Sequence, residues 1–367
     1  MTADDVLDNS ALNRALLARQ LLLERTDMPA LDAIEHLVGM QSQAPQAPYA
    51  GLWTRLSDFD PAELSELMTS RRAVRIGLMR GTVHLVSAED CLLLRPWLQP
   101  LYDRSLPANP GYVRSIAGIE DEYVALVTAL LEEAPRTNAE LRAAFAERWP
   151  DLDAAALTWG ARFRFACVQV PPRGLWRGTG QATVTTAEHW LGKPLASDPS
   201  PTALIRRYLA AYGPASVQDM QTWCGLTKLG EHFTQLRETL RVFRSTTGTE
   251  LFDLPDAPRP PADTPAPVRF LPEYDNLLRS HVDRTHVMSP EARDRLATKN
   301  DSPKPTFLLD GRVAGGWRLT RTRRRATLTI EPFVRLSQRD TAQVSAEAER
   351  LLRFAADGDS HEVVYTD

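Results

Sequence analysis

Helical sequence gives way to strand-like alternation three times in the first 254 residues. Each helical stretch opens on a start signal. Asp60-Pro61-Ala62-Glu63 places a capping acid before proline at the first helical position, with Glu63 three residues on. Thr137-Asn138-Ala139-Glu140 has the form of a capping box, and Ser216-Val217-Gln218-Asp219 is a weaker version. The starts lie 77 and 79 residues apart. Each is followed by a hairpin-like segment: Arg80-Gly81-Thr82-Val83-His84-Leu85-Val86, then GLWRGTGQATVTT around Gly178-Thr179-Gly180, then LRVFRSTTGTELFDL around Thr247-Gly248. Helices followed by a two-stranded wing describe a winged helix, and three in series is the simplest account of the interval. Three unrelated helix–hairpin segments is the alternative.

The texture changes after residue 254. Residues 255–267, PDAPRPPADTPAP, carry six prolines and no periodicity, which predicts an extended linker. Phe307 to Val313 predicts a hairpin with its turn at Asp310-Gly311. Arg325 to Phe333 predicts another strand, and residues 341–356 a closing amphipathic helix. The expected fold class is α+β. It comprises three tandem winged helix-turn-helix modules (1–115, 116–195, 196–254), the linker 255–267, and a small β-rich α+β domain over 268–367, its strands curled into a sheet or a barrel-like partial barrel.

Composition removes several function classes. With 43% hydrophobic and 25% charged residues the chain is globular, and no apolar run approaches the roughly 20 residues of a membrane span. The acidic start MTADDVLDNS lacks the basic region of a signal peptide, so the expected location is the cytoplasm. Cys91, Cys167 and Cys224 lie far apart, which leaves no disulfide framework and no thiolate metal site. His281 and His286, with Asp283 between them, come nearest to a metal-ligand set, and their spacing argues against one. No Walker loop, dinucleotide fingerprint, H-E-x-x-H or G-x-S-x-G is present, so neither metal nor cofactor is expected.

The net charge of −4 conceals an uneven spread. Seven acids and two bases lie between Asp340 and Asp367. Three stretches, 67–88, 154–187 and 311–330, contain arginines and no acid, and four of the 43 basic residues are lysine. Local basic surface, not net charge, governs phosphate binding, and arginine suits bidentate contacts. A GC-rich genome explains the arginine excess equally well.

The most unusual segment is Leu37-Val38-Gly39-Met40-Gln41-Ser42-Gln43-Ala44-Pro45-Gln46, at the end of a helical pattern running from Ala30 to Val38. If it is extended, Gln41 and Gln43 share a face. Two buried amides need partners. They either cap the helix end or meet a ligand.

HLVGMQSQAPQAPYAGLWTRL, LMRGTVHLVSAEDCLLLRP and FLPEYDNLLRSH, in that order, resemble the signature segments of the AlkZ-like winged-helix family of bacterial DNA glycosylases. The resemblance runs over nearly the whole chain. It implies three winged-helix motifs and a C-terminal β-rich part in a C-shaped scaffold with a basic concave face. It also implies that Gln41 and Gln43 form the family's Gln-x-Gln motif, in the branch tied to bulky toxin adducts and crosslinks rather than the Gln-x-Asp branch. Tyr274, Asp275 and Asn276 match a second signature. Asp275 either stabilises a cationic sugar or caps a helix. Arg80 and His84 either contact phosphate at the first wing or are a turn arginine and a strand histidine. Arg318, Arg321, Arg323, Arg324 and Arg325 either grip the groove from a hairpin or form an ordinary basic strand.

Chemistry agrees with the resemblance. An N7-alkylguanine is already cationic and leaves neutral, so no strong acid is required. An amide does not titrate usefully, but it orients water and hydrogen-bonds the sugar. No lysine falls in a signature segment, which points to a monofunctional enzyme without Schiff-base chemistry. The expected activity is hydrolysis of the N-glycosidic bond of N7-alkylated purines in duplex DNA, for repair or self-resistance, by a monomer. A crosslinked adduct is too bulky for a closed base pocket, which leaves hydrolysis without full base flipping open. The competing function is a non-enzymatic winged-helix DNA binder, a regulator or a protein that sequesters adducts.

Overall fold

The computed structural model describes residues 5–297 and 304–366. A short strand, β1 (Val6–Leu7), leads into the helix Asn9–Arg19, whose cap Asp8 accepts from the backbone N–H groups of Ser10 and Ala11. Three segments then repeat one order of elements. The first runs helix Ala30–His36, β2 (Met40–Gln41), helices Ala47–Trp53 and Pro61–Thr69, β3 (Ala73–Gly77) and β4 (Val83–Ser87). The second runs helix Glu120–Glu133, β5 (Arg136–Thr137), helices Asn138–Arg148 and Ala154–Arg164, β6 (Cys167–Gln169) and β7 (Thr183–Thr186). The third runs helix Pro201–Tyr212, a single bridge residue Ala215 paired with Phe252, helices Val217–Cys224 and Gly230–Leu236, β8 (Arg241–Ser245) and β9 (Glu250–Asp253).

Thr137 and Ser216 close complete capping boxes on the second helix of their segments. Asp60 caps the third helix of the first segment. The 77-residue interval therefore joins unlike helices, and only the 79-residue interval follows the repeat. The second hairpin also differs from expectation. Its strands are β6 and β7, and the glycines 178 and 180 lie in the long connection between them. Pro171 and Pro172 have no N–H to extend the ladder from β6.

The segments are not independent blocks. One six-stranded sheet runs β2-β4-β3-β6-β7-β5, with Arg75 opposite Gln169 where the first segment meets the second. Strand β1 pairs in parallel with β8, so the N-terminal strand completes the third segment's sheet.

Residues 255–267 carry neither helix nor strand. Beyond them, β10 (Arg269–Leu271), β11 (Thr306–Leu309), β12 (Arg312–Thr322), β13 (Arg325–Pro332) and β14 (Ser360–Tyr365) form a sheet in that spatial order. The turn at Asp310-Gly311 uses two positive φ angles, 46° and 75°. The closing helix is Gln338–Ala355. It serves as the crossover that returns β14 parallel to β13, where the sequence predicted no strand. The sheet is open, with β10 and β14 at its edges, so of the sheet and the partial barrel left open by the sequence the chain forms the sheet. Val344, Ala348, Leu351 and Leu352 of the helix share one core with Phe270, Leu328 and Ile330 of the sheet and with Ile34, Leu52 and Leu64 of the first segment. That shared core fixes the loop after β10 against β2. No helix of the described residues is long and apolar enough to cross a membrane.

Candidate active site

The helix Ala30–His36 ends at a reversal made by Val38 (φ 54°) and Gly39 (φ 89°). A Cβ at Gly39 would lie 2.6 Å from Val86 Cγ1, so both the angle and the close approach require glycine. The reversal delivers β2 onto β4, with Gln41 opposite His84, and Ser42 N–H donates to Val83 O at 2.7 Å. Side chains then alternate. Gln41 and Gln43 both reach the turn 79–83 between β3 and β4, while Ser42 points the other way to Arg75. The strand ends at Gln41 and Gln43 lies in the bend after it, so the segment is extended only in part, yet both amides reach the same turn.

Gln41 is buried, and its Oε1 accepts from Arg80 Nη2 at 2.8 Å. Arg80 Nη1 also donates to Trp223 O. Burial, and then neighbouring Arg279, lower the Arg80 pKa to about 10. Gln43 is exposed, and its Oε1 accepts from Val83 N–H at 3.2 Å. Each amide oxygen keeps a second lone pair, and each NH2 group is without a partner among the described residues. The result is two oriented, uncharged amides with unused donors and acceptors. Gln46, the third glutamine, instead holds the loop after Pro172: it donates to Leu175 O and accepts from Arg177 N–H.

The loop after β10 closes against this strand. Tyr274 turns the chain at φ 64° and is half-buried. Asp275 receives Arg55 Nη1 and Nη2 at 2.9 Å each, with side chains 2% and 1% exposed. Its Oδ1 also accepts from Leu277 N–H, capping a short helical turn. Of the two roles left open for Asp275, the carboxylate occupies the capping one here. Asn276 donates to Gly39 O and Tyr212 Oη, and its Oδ1 faces Gln41 N–H at 3.4 Å. It ties the loop to the reversal that carries the glutamines. Gln41 and residues 272–276 line a crevice of about 10 Å³, on the order of one water molecule.

The RGTVH residues are not a surface phosphate pair. His84 is 1% exposed, and its Nδ1–H donates to Thr82 O at 2.9 Å. Burial and then Arg80 lower its pKa to about 3, so the ring is neutral. Arg75, counted from sequence within a basic stretch, is also inside. It donates to Ser42 Oγ and Ser42 O, and its Nη1 has no partner among the described residues. Arg55, Arg75 and Tyr212 are thus the supporting residues that sequence reasoning missed. Arg55 stood in the first signature segment, but its partner Asp275 lies 220 positions away.

The hairpin arginines lie apart from this cluster. Arg318, Arg321, Arg323, Arg324 and Arg325 are all exposed on β12, β13 and their turn. Arg321 pairs with Asp359 at 2.5 Å and Arg325 with Glu362 at 2.7 Å. Arg318, Arg323 and Arg324 have no side-chain partner among the described residues. His281 and His286 stack edge to face at 4.9 Å, and no group of three metal-ligating side chains occurs among the described residues.

Comparisons with known proteins bear on the arrangement. The family described as AlkZ-like DNA glycosylase matches residues 34–354. An interstrand DNA cross-link repair glycosylase of Streptomyces sahachiroi is 25% identical over 365 residues, covering 92% of this chain and 94% of that protein. The solved structure of the Streptomyces sahachiroi DNA glycosylase AlkZ superposes with a TM-score of 0.77 at 21% identity, covering 98% of this chain and 99% of the other. The matched span contains the glutamine strand, the loop bearing Asp275 and the basic hairpin, and the chain belongs to the AlkZ-like DNA glycosylase family.

Proposed function

We propose that this protein hydrolyses the N-glycosidic bond of N7-alkylated purines in duplex DNA, with bulky adducts and crosslinks as its preferred lesions. The observation that carries the reading is the Gln41–Arg80 bond. It fixes a neutral amide at a strand edge beside a crevice of one-water size, close to the turn that Gln43 also reaches. The departing base of a cationic N7 adduct needs no proton. What remains is to place water against C1′ and to stabilise an oxocarbenium-like sugar. Two fixed amides serve that task through the lone pairs and N–H groups left free. Among the described residues no lysine lines the crevice, in keeping with simple hydrolysis. The relative's role in cross-link repair supports the preference for bulky lesions. The three segments of common element order are read as three winged-helix modules, 1–115, 116–195 and 196–254, the first carrying the glutamines. The protein works as a cytoplasmic monomer, and the hairpin arginines contact phosphate.

The test is a duplex carrying one N7-methylguanine, and a second carrying a bulky N7 adduct, with free base and alkali-labile sites counted over several enzyme equivalents. Multiple turnover without a borohydride-trapped intermediate is the expected result. Tight stoichiometric binding with no released base from either duplex would overturn the reading in favour of a DNA binder without catalysis.

A further inference from the structure

Two amides orient a water molecule but cannot take its proton, because an amide does not titrate in the useful range. The crevice beside Gln41 holds a group that can. Two carboxyl groups, Glu273 and Asp275, line this space of about 10 Å³ together with Gln41 and Arg55. They are in opposite states. Asp275 is occupied: its two oxygens receive the Arg55 guanidinium, and Oδ1 also accepts from Leu277 N–H. Glu273 is half-buried, and among the described residues its carboxyl is hydrogen-bonded by its own backbone N–H and by no cation or other side chain.

The local backbone separates the two. Pro272 packs on the helix Ala47–Trp53, its Cγ 3.6 Å from where a Cβ at Gly51 would stand. Tyr274 then reverses the chain at φ 64°. Asp275 goes to Arg55, and Glu273 stays between the crevice and a larger cavity of about 690 Å³ that it also lines. The other charged or titratable groups around Glu273 are Tyr274, the Arg55–Asp275 pair, and across the larger cavity Arg318 and the Lys304–Glu331 pair. Both pairs are internally neutralised. Burial raises the Glu273 pKa above the ordinary carboxyl value, which makes its carboxylate a stronger base.

We propose that Glu273 is the general base of the reaction: Gln41 and Gln43 hold the water, and the Glu273 carboxylate takes its proton as the oxygen attacks C1′. The O–C1′ bond forms and the C1′–N9 bond breaks. The electron pair of the broken bond passes to the purine and cancels the positive charge fixed there by N7 alkylation. The proton on Glu273 then leaves to solvent through the larger cavity. Until it is protonated, the carboxylate also stabilises the oxocarbenium-like sugar. This rests on the glycosylase reading above and supplies the proton acceptor that the amides lack.

The first test is single-turnover base release from a duplex carrying one N7-methylguanine, measured across the acid and neutral pH range. It compares wild type, Glu273→Gln, and Glu331→Gln as the other carboxyl of the larger cavity. Each variant is first checked for a native melting transition, and Glu273→Ala is read in place of Glu273→Gln if the latter does not fold. Alkylation fixes the substrate's charge, so an acid limb in the rate belongs to the protein. The wild-type rate should fall as pH falls through a pKa above that of an ordinary glutamate. Loss of the Glu273 carboxyl should lower the neutral-pH rate by about 10² or more and flatten the limb, with duplex affinity unchanged. Glu331→Gln should keep both rate and limb. An unchanged limb in the Glu273 variant, or an equal loss in Glu331→Gln, overturns the proposal. A second test needs no turnover. Wild type should bind a duplex bearing a cationic pyrrolidine abasic analogue about tenfold or more tighter than one bearing neutral tetrahydrofuran, and the Glu273 variant should lose that preference. If wild type releases no base, the glycosylase reading fails, and the cation preference still decides whether Glu273 faces the sugar. No preference in wild type, or one that survives in the variant, overturns that placement.

Discussion

The glutamine strand and the arginine hairpin both present polar groups, and they do so in opposite ways. Gln41 is buried and its carbonyl is fixed by Arg80, while nearby Asp275 and Arg55 bond each other and Asn276 bonds Gly39 O and Tyr212 Oη out of water. Arg323 and Arg324 stand at an exposed turn with no side-chain partner among the described residues. Buried, mutually bonded groups hold geometry and are insensitive to salt. Exposed cations supply charge, and counterions weaken their effect within about 10 Å at ordinary ionic strength. On the function proposed above, the first region governs the rate of the chemical step and the second governs how long DNA stays.

The largest expected effect breaks the first region. Gln43→Ala and Gln41→Ala each remove an oriented amide, and removing one such group lowers a rate by about 10²–10³. Single-turnover base release should fall by that factor, with duplex affinity nearly unchanged. An equal fall in affinity and no separate fall in rate would place Gln41 with the hairpin, as a binding residue.

Next is the support under the strand. Asp275→Ala leaves the Arg55 charge buried without its carboxylate, and breaking a buried pair in this way costs about 3–5 kcal/mol of stability. Thermal unfolding should show a large fall in Tm. A small fall would mean that the loop relaxes and water reaches Arg55, in which case the glutamine strand is less rigid than its bonds indicate.

Local chemistry was legible in the sequence where a few adjacent residues decide the outcome. Thr137-Asn138-Ala139-Glu140 closes its capping box, and Asp310-Gly311 makes its hairpin turn. The glutamine segment brings Gln41 and Gln43 to one turn, although its strand stops at Gln41 and a bend carries Gln43. What was not legible depends on distant partners. Arg75 and Arg80 look like surface charge within an acid-free stretch, yet Ser42 O, Trp223 O and the Gln41 amide draw them inside. Strand β14 lies in what reads as an acidic tail. It forms because β13 presents an open edge and the closing helix leads the chain back along it. Asp359 and Glu362 of that tail then answer Arg321 and Arg325.

Smaller effects sharpen the second region. Replacing Arg323 and Arg324 together by alanine removes two candidate phosphate contacts. The slope of log binding constant against log salt should become shallower by about 2, at close to 0.9 per contact. The loss should be uniform across duplex sequences, since phosphate contacts carry no base information. An unchanged slope would move the DNA track away from the hairpin.

The smallest effect separates the arginines within the hairpin. Arg325 is 60% exposed and Glu362 39%, so their ion pair contributes at most about 1 kcal/mol to stability. Glu362→Gln should therefore leave Tm almost unchanged. It also releases Arg325 from its carboxylate, on a strand adjacent to the turn that carries Arg323 and Arg324. If the hairpin tracks the backbone, the freed guanidinium becomes one more phosphate contact, and the salt slope should steepen by about 1. If the slope does not move, Arg325 faces away from DNA, its pairing with β14 is its whole role, and the binding surface contracts to the turn itself. Stability alone cannot tell these outcomes apart, because an exposed pair is nearly silent in the fold. The salt dependence can, and that is the property by which the hairpin differs from the glutamine strand.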